Sequence, residues 1–246
     1  LAEASEKFGR GEEIGEFRPS GALEIRKAGY EFDKMRKRIK RHLNQRSEML
    51  SGISHDLRTP LTRIKLQIAL INDKKIASEL SDDVVEMEKM LNAYLQFAKD
   101  GAEEKTQKFN IIDLVNETIY KYDNPNIAFK NSKEIFFEGR KELLKRSIKN
   151  FIDNSLKYGR HITIRAKKMR SDLVIDISDD GIGIPKKEYE NVFKPFYKID
   201  KSRSESKSSV GLGMSISSDI IKSHGGKIDL GKSEMGGLKV TISLPV

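Results

Sequence analysis

The stretch LSGISHDLRTPLTRIKLQIALI, Leu50 to Ile71, decides how the first half of this chain folds. Its apolar residues Leu50, Ile53, Leu57, Leu61, Ile64, Ile68 and Ile71 recur in steps of three and four, the period of a helix with one apolar seam. After a break near Asn72 to Lys75 the period resumes at Leu80, Val84, Met87, Leu91, Leu95 and Ala98. Two such helices joined by a short turn predict an antiparallel hairpin. Alone, a hairpin leaves much of its stripe in water, so the pattern predicts a homodimer that closes a four-helix bundle. Packing of the hairpin on the rest of its own chain is the alternative.

His55 falls on the side opposite the seam, with Thr59 one turn later on the same outward side. Pro60 lacks an N–H and its ring pushes on the carbonyl of Asp56, which predicts a kink beside the histidine. Neutral imidazole is a nucleophile toward a phosphoryl group when one nitrogen is free and the other holds its proton against an acceptor. Asp56 is the candidate acceptor. Neighbours on a regular helix do not face each other, so the kink or a rotamer must bring its carboxylate to Nδ1. Thr59 is placed to orient a water for the reverse hydrolysis.

Outward from this helix, composition excludes several classes. The chain has 246 residues and no Cys, which removes disulfides, thiol chemistry and cysteine metal sites together. Its longest apolar run is Ile68 to Ile71, far short of the roughly 20 residues a membrane-spanning helix needs. Charged residues make up 34%, against about a quarter in an average domain, which predicts long solvated helices. The net charge of +9 is localised: Arg26 to Arg46 holds nine Lys or Arg against two acids. A helix just inside a membrane anchor has this composition, and the segment lacks the aromatic interleaving of a nucleic-acid surface. The chain starts at Leu1 rather than Met, so an upstream portion, including such an anchor, is expected.

The C-terminal half alternates helical segments with strands such as HITIRA, DLVIDIS and KVTISLPV, an α/β sandwich pattern. NFIDN places Asn150 and Asn154 on one helical face, followed by Lys157 and Tyr158. A carboxamide oxygen is a hard neutral ligand suited to Mg²⁺. DDGIGIP, Asp179 to Pro185, follows a strand. The Asp179 carboxylate, when ionised, only accepts hydrogen bonds, so it would select the exocyclic amine of adenine. Gly181 and Gly183 let backbone approach a base or sugar. FKPFYKID then leads into a polar loop holding Lys201, Arg203 and Lys207, placed to cover phosphates, and GLGMSIS opens a helix at Gly211. Glycines at a helix start leave N–H groups and a positive dipole end for an anion. The pattern GxxxxGK[ST] is absent, so that phosphate-binding architecture is not used.

In this order and spacing the segments resemble a sensor histidine kinase of a two-component system. SHDLRTPLTR resembles the phosphoacceptor motif, and NFIDNSLKYG, DDGIGIP, FKPFYK and GLGMSI resemble the N, G1, F and G2 motifs. SHDLRTPLTR, the ending GGLKVTISLPV and the short lid are similar to the osmosensor (EnvZ-like) branch, whose members also dephosphorylate an OmpR-like response regulator. Residues 1 to 46 resemble the later part of a HAMP linker, with Leu23 to Ile25 opening its second helix.

The resemblance implies a helical dimerisation and phosphotransfer domain over 47–100 and a GHKL-type α/β sandwich over 107–246, in the cytoplasmic portion of a bacterial inner-membrane protein. It implies ATP and Mg²⁺ as cofactors, a receiver-domain aspartate as phosphoryl acceptor, and no nucleic acid. It assigns the γ-phosphoryl group to His55, with Asp56 as base partner and Thr59 serving dephosphorylation. Asn154 would bind Mg²⁺, with Asn150 beside it near the phosphates, Lys157 on a phosphate and Tyr158 near the nucleotide. Asp179 would read adenine, while Gly181, Gly183, Gly211, Leu212 and Gly213 shape the pocket and Lys201 and Arg203 lie in its lid. Ser209 stands where the family often has a third glycine. ATPases of the gyrase, Hsp90 and MutL type share the nucleotide pattern but carry a Glu base where Asn150 stands, which disfavours rapid hydrolysis by water here.

Overall fold

A computed structural model describes residues 1–9, 15, 17–100, 104–130, 133–169, 172–199 and 211–246; the side chains of 6–7, 43–44, 46–47, 50–51, 54–55 and 93–100 lie outside that description. The Leu50–Ile71 stretch is helical as its period requires, but as the end of a longer element. Helix α2 (Leu23–Ile68) runs 46 residues and crosses the expected boundary at 46–47 without interruption. It continues through Pro60, where Thr62 Oγ1 donates to the Arg58 carbonyl at 2.9 Å, a side-chain bond of the kind that bends helices. Upstream, α1 (Ala2–Gly9) and residues 17–19 lie against the start of α2. Phe8 and Phe17 meet Phe32 edge to face at 5.9 and 5.7 Å, and a Cβ on buried Gly29 would stand 2.6 Å from Pro19.

Helix α3 (Lys74–Asp100) returns along α2 to make the hairpin. The two apolar columns of each helix part company. Leu61 and Ile68 are buried against Val84, with Ala77 and Leu91 packed on them. Leu57 and Ile64 on α2, and Leu80 and Met87 on α3, remain exposed. Lys65 Nζ ties the helices by a bond of 2.7 Å to Glu88.

The second unit contains β1 (Gln107–Asn110), α4 (Ile111–Tyr120), β2 (Ile127–Phe129), β3 (Phe136–Gly139), α5 (Lys141–Tyr158), β4 (Ile162–Met169), β5 (Asp172–Asp179), α6 (Gly213–Lys222), β6 (Lys227–Lys232) and β7 (Leu238–Pro245). Strands β4, β5 and β7 are the expected HITIRA, DLVIDIS and KVTISLPV. They form the middle of a five-stranded sheet ordered β2-β4-β5-β7-β6, with β2 parallel to β4 and the other pairs antiparallel. The period-2 alternation sets its faces: Ile162, Ile164, Ile175, Ile177, Val240 and Ile242 are buried in the core that Leu144, Ile148, Phe151, Ile152, Ile216 and Ile220 of α5 and α6 share. On β5, Asp176 is held by Thr241 Oγ1 at 2.7 Å. Strands β1 and β3 pair separately, in register Phe109 to Phe137.

Candidate functional site: a nucleotide cradle between α5, β5 and α6

Helix α5 buries Leu144, Ile148, Phe151, Ile152 and Ser155, which turns Asn150 and Asn154 to a partly exposed flank and Lys157 and Tyr158 to an exposed one. Asn150 Nδ2 donates to the Gly213 carbonyl at 3.3 Å and to Ser217 Oγ at 3.2 Å, so this residue joins α5 to the start of α6. Its carboxamide oxygen stays clear of those bonds. The Asn154 side chain makes no hydrogen bond among the described residues. Lys157 Nζ lies 5.1 Å over the Tyr158 ring.

β5 ends in Asp179, which is 3% exposed and held from three sides. Oδ1 accepts the Gly181 N–H at 3.0 Å and the Leu238 N–H at 2.9 Å, and Oδ2 accepts Ser155 Oγ at 2.9 Å. Each carboxylate oxygen offers about two acceptor positions, so Oδ1 is filled and Oδ2 retains one. That remaining position leaves room for one further donor. The turn around it demands glycine. A Cβ on Gly181 would come within 2.7 Å of the Tyr158 carbonyl oxygen, Gly183 has φ +68°, and a Cβ on Gly237 would collide with Asp179 Oδ1 and the Gly181 N–H.

Asp180 fastens the same turn from outside. It accepts the Arg160 and His161 N–H groups at 2.6 and 2.9 Å on Oδ1 and His161 Nδ1 at 2.7 Å on Oδ2. The His161 backbone N–H, its ring and the Arg160 N–H hold the Asp180 carboxyl well below the usual carboxylate range.

Helix α6 opens without a side-chain cap: Leu212 stands at the cap position and Gly213 begins the helix. Leu212 itself is 4% exposed in the core, so it borders the site through backbone. Among the described residues, a Cβ on Gly213 would meet nothing nearer than Asn150 at 3.9 Å. Gly211 has φ +76° and accepts the Phe196 N–H at 3.0 Å, and Phe196 itself has φ +64°. The two flanks of segment 200–210 therefore meet at the cradle. Lys201, Arg203, Lys207 and Ser209 lie outside the described residues. Before that segment, Lys194 and Asn191 bond at 2.7 Å, and the Tyr197 hydroxyl donates to Glu188.

An uncapped helix start, a carboxamide without partner and an enclosed carboxylate with one acceptor position left fit a nucleotide with its divalent cation. Asn154, with the Asn150 oxygen, would hold Mg²⁺, which neutralises phosphate charge when bound.

The structure thus brings Asn150, Asn154, Asp179, Gly181, Gly211 and Gly213 together. His55 lies on α2 with its side chain outside the description, so its expected outward direction does too; Asp56 and Thr59 are exposed. The two units are joined by an ion pair, Lys198 Nζ to Glu86 Oε1 at 3.9 Å. Sequence reasoning missed Ser155, Asp180, His161 and Gly237. Ser155 carried a signal, sitting beside Asn154 on the buried side of a helix whose next element returns at Asp179; the others act across sequence separations that no local pattern reports.

Comparison with known proteins agrees with this layout. Residues 45–103 match the family described as His Kinase A (phospho-acceptor) domain, and residues 139–246 match Histidine kinase-, DNA gyrase B-, and HSP90-like ATPase. The chain is 31% identical over its whole length to sensor histidine kinase GtrS of Pseudomonas aeruginosa, covering 51% of that protein. It is 28% identical over 92% of its length to sensor histidine kinase CpxA of Escherichia coli, covering 53% of it. The chain therefore spans about half the length of the curated relatives it matches. In fold it is similar to full-length ShkA solved in complex with AMPPNP, with TM-score 0.61 at 20% identity over 80% of this chain and 45% of that one. It is also similar to the catalytic domain of histidine kinase ThkA, with TM-score 0.50 at 23% identity over 57% of this chain and 95% of that one. The hairpin region accordingly matches the His Kinase A (phospho-acceptor) domain and most of the sandwich matches the histidine kinase-, DNA gyrase B- and HSP90-like ATPase, in that order along the chain.

Proposed function

We propose that this chain is the kinase portion of a two-component sensor. The sandwich binds ATP with Mg²⁺ and His55 takes the γ-phosphoryl group. The observation that carries this reading is the Asp179 carboxylate, enclosed by Gly181, Leu238 and Ser155 with one acceptor position left, in the same cradle as the unbonded Asn154 carboxamide. In the transfer, imidazole Nε2 attacks the γ-phosphorus, the bond to the bridging oxygen breaks, ADP departs with that electron pair, and the Nδ1 proton passes to Asp56.

The labile phosphoramidate then passes to a receiver-domain aspartate of an OmpR-like regulator, and Thr59 orients water for the reverse dephosphorylation. Two copies pair through the exposed columns Leu57, Ile64, Leu80 and Met87. The segment before α2, with Pro19 against Gly29 and the Phe8–Phe17–Phe32 cluster, fits a HAMP-type connector, and a membrane anchor upstream suits the basic first part of α2.

Incubation with γ-labelled ATP and Mg²⁺ should yield an acid-labile, alkali-stable phosphoprotein, and Thr59→Ala should keep that label while slowing regulator dephosphorylation at least tenfold. An acid-stable label refutes the histidine assignment. Equal loss of both activities in Thr59→Ala refutes the bifunctional one. Rapid ATP turnover with no phosphoprotein would favour the gyrase-type reading.

A further inference from the structure

Helix α5 begins at Lys141 with Arg140 at its cap position and no cap from that side chain. Its first turn leaves N–H donors that need an acceptor. The acceptor comes from far away in sequence. Glu104 Oε1 takes the Glu142 N–H at 2.7 Å and Oε2 takes the Leu143 N–H at 3.0 Å, a carboxylate seated on the positive end of the helix. Glu104 lies just beyond the end of α3 at Asp100, and β1 begins only at Gln107. Its side chain thus fixes the chain to the sandwich three residues before β1 begins.

The anchoring point is stiff. Arg140 Nη2 bonds the Ser223 carbonyl at 2.8 Å and Ser223 Oγ at 2.6 Å, and the Arg140 N–H donates to His224 Nε2 at 3.1 Å. The start of α5 is thereby locked to the end of α6, and Asn150 locks the same two helices at the cradle. Asn154 lies eleven residues beyond Leu143, about 16 Å along a rigid helix.

We propose that Glu104 is a positioning residue: by clasping the first turn of α5 it fixes the nucleotide cradle relative to the histidine-bearing hairpin. The kinetic consequence rests on the phosphotransfer function proposed above; the geometric one does not. The Lys198–Glu86 pair alone would hold the units loosely, since partly exposed pairs of this kind contribute little.

The test uses the whole chain as wild type, Glu104→Ala and Glu104→Gln. Because the sequence contains no Cys, spin labels can be placed at Lys89→Cys on α3 and Tyr120→Cys on α4, with labelled chain diluted in unlabelled. Pulsed EPR should give a narrow distance distribution for the wild type, a clearly broadened one for Glu104→Ala, and an intermediate one for Glu104→Gln, which keeps one acceptor oxygen. At saturating ATP, phosphohistidine formation should fall about tenfold in Glu104→Ala with KM for ATP within twofold, the split expected when only the approach to the transition state is lost. Identical distance distributions overturn the clasp. Unchanged rates, or a KM that worsens by the same factor as the rate, overturn its positioning role. Absence of phosphohistidine in a wild type that binds ATP refutes the phosphotransfer reading, and the distance arm still decides the clasp.

Discussion

In the hairpin, Leu61, Ile68 and Val84 are buried while Leu57, Ile64, Leu80 and Met87 keep 39–52% of their surface; in the sandwich, Leu114, Ile152, Ile164, Leu173 and Ile242 keep none. Both units are amphipathic by pattern, yet one finishes its core within a single chain and the other does not. A sheet with three helices on one face encloses a layer of side chains. Two helices enclose only the column between them and leave a second column facing out. The sandwich is thus built to hold a site on its own, whereas the hairpin leaves an apolar column exposed, the column through which the proposed pairing of two copies would run.

Four substitutions and one titration bear on this division of labour. The largest effect is expected from His55→Gln, which should remove phosphohistidine to background while ATP affinity stays within twofold, because acceptor and cradle belong to different units. Second, Ile64→Glu should weaken self-association at least a thousandfold by sedimentation, since a charge buried in the outward column of each copy costs several kcal/mol, of order 3–5. ATP binding by the sandwich should be untouched.

Third comes acid. His224 is 7% exposed, its Nδ1 bonds the Ile220 carbonyl at 2.8 Å, and its Nε2 accepts the Arg140 N–H, so the folded ring is neutral. Burial pushes its pKa down to about 4. Its folded value lies below the usual 6.5, so the unfolded chain binds the extra proton and stability falls as pH drops from about 6.5 to about 4, by roughly 3 kcal/mol in all. Asp180 adds a loss in the same direction at lower pH, as its depressed carboxyl protonates. Calorimetric melting should show the sandwich losing Tm over pH 6.5 to 4.5 more steeply in wild type than in His224→Gln, with the hairpin transition unaffected.

Fourth, Asp179→Asn puts an amide where three donors converge and should weaken ATP binding about a hundredfold, equivalent to about 2.7 kcal/mol, with self-association unchanged. The smallest effect is expected from Lys65→Ala: its partner Glu88 is partly exposed, so hairpin stability should change by less than about 1 kcal/mol.

How far the sequence disclosed this molecule follows from the same contrast. The helices of the hairpin were legible because a seam of period three and four admits one reading, and the central strands because ITIRA and KVTISLP alternate. The break before Lys74 also falls where expected. Helix α2 runs unbroken across 46–47, since a rise in basic residues changes composition without breaking a helix. The separate β1–β3 pair, whose strands are four residues each, was not legible.

Within the cradle, Asn150, Asn154 and Asp179 stood out because carboxamides at helical spacing and an acid before glycines each imply a chemistry. Ser155, Asp180, His161 and Gly237 support them through bonds or close approaches across 19 to 58 residues, which only the folded chain displays. Glu104 is the extreme case: one Glu among many, distinguished only by the uncapped helix it reaches.

The most direct test of the whole account is site mapping at neutral pH. After incubation with ATP and Mg²⁺, trypsin releases the peptide Ser47–Arg58, SEMLSGISHDLR, which should carry one phosphoryl group fragmenting to His55 and disappearing on brief acid treatment. A phosphoryl group on Ser47, Ser51 or Ser54, or on any other peptide with this one unmodified, would contradict it.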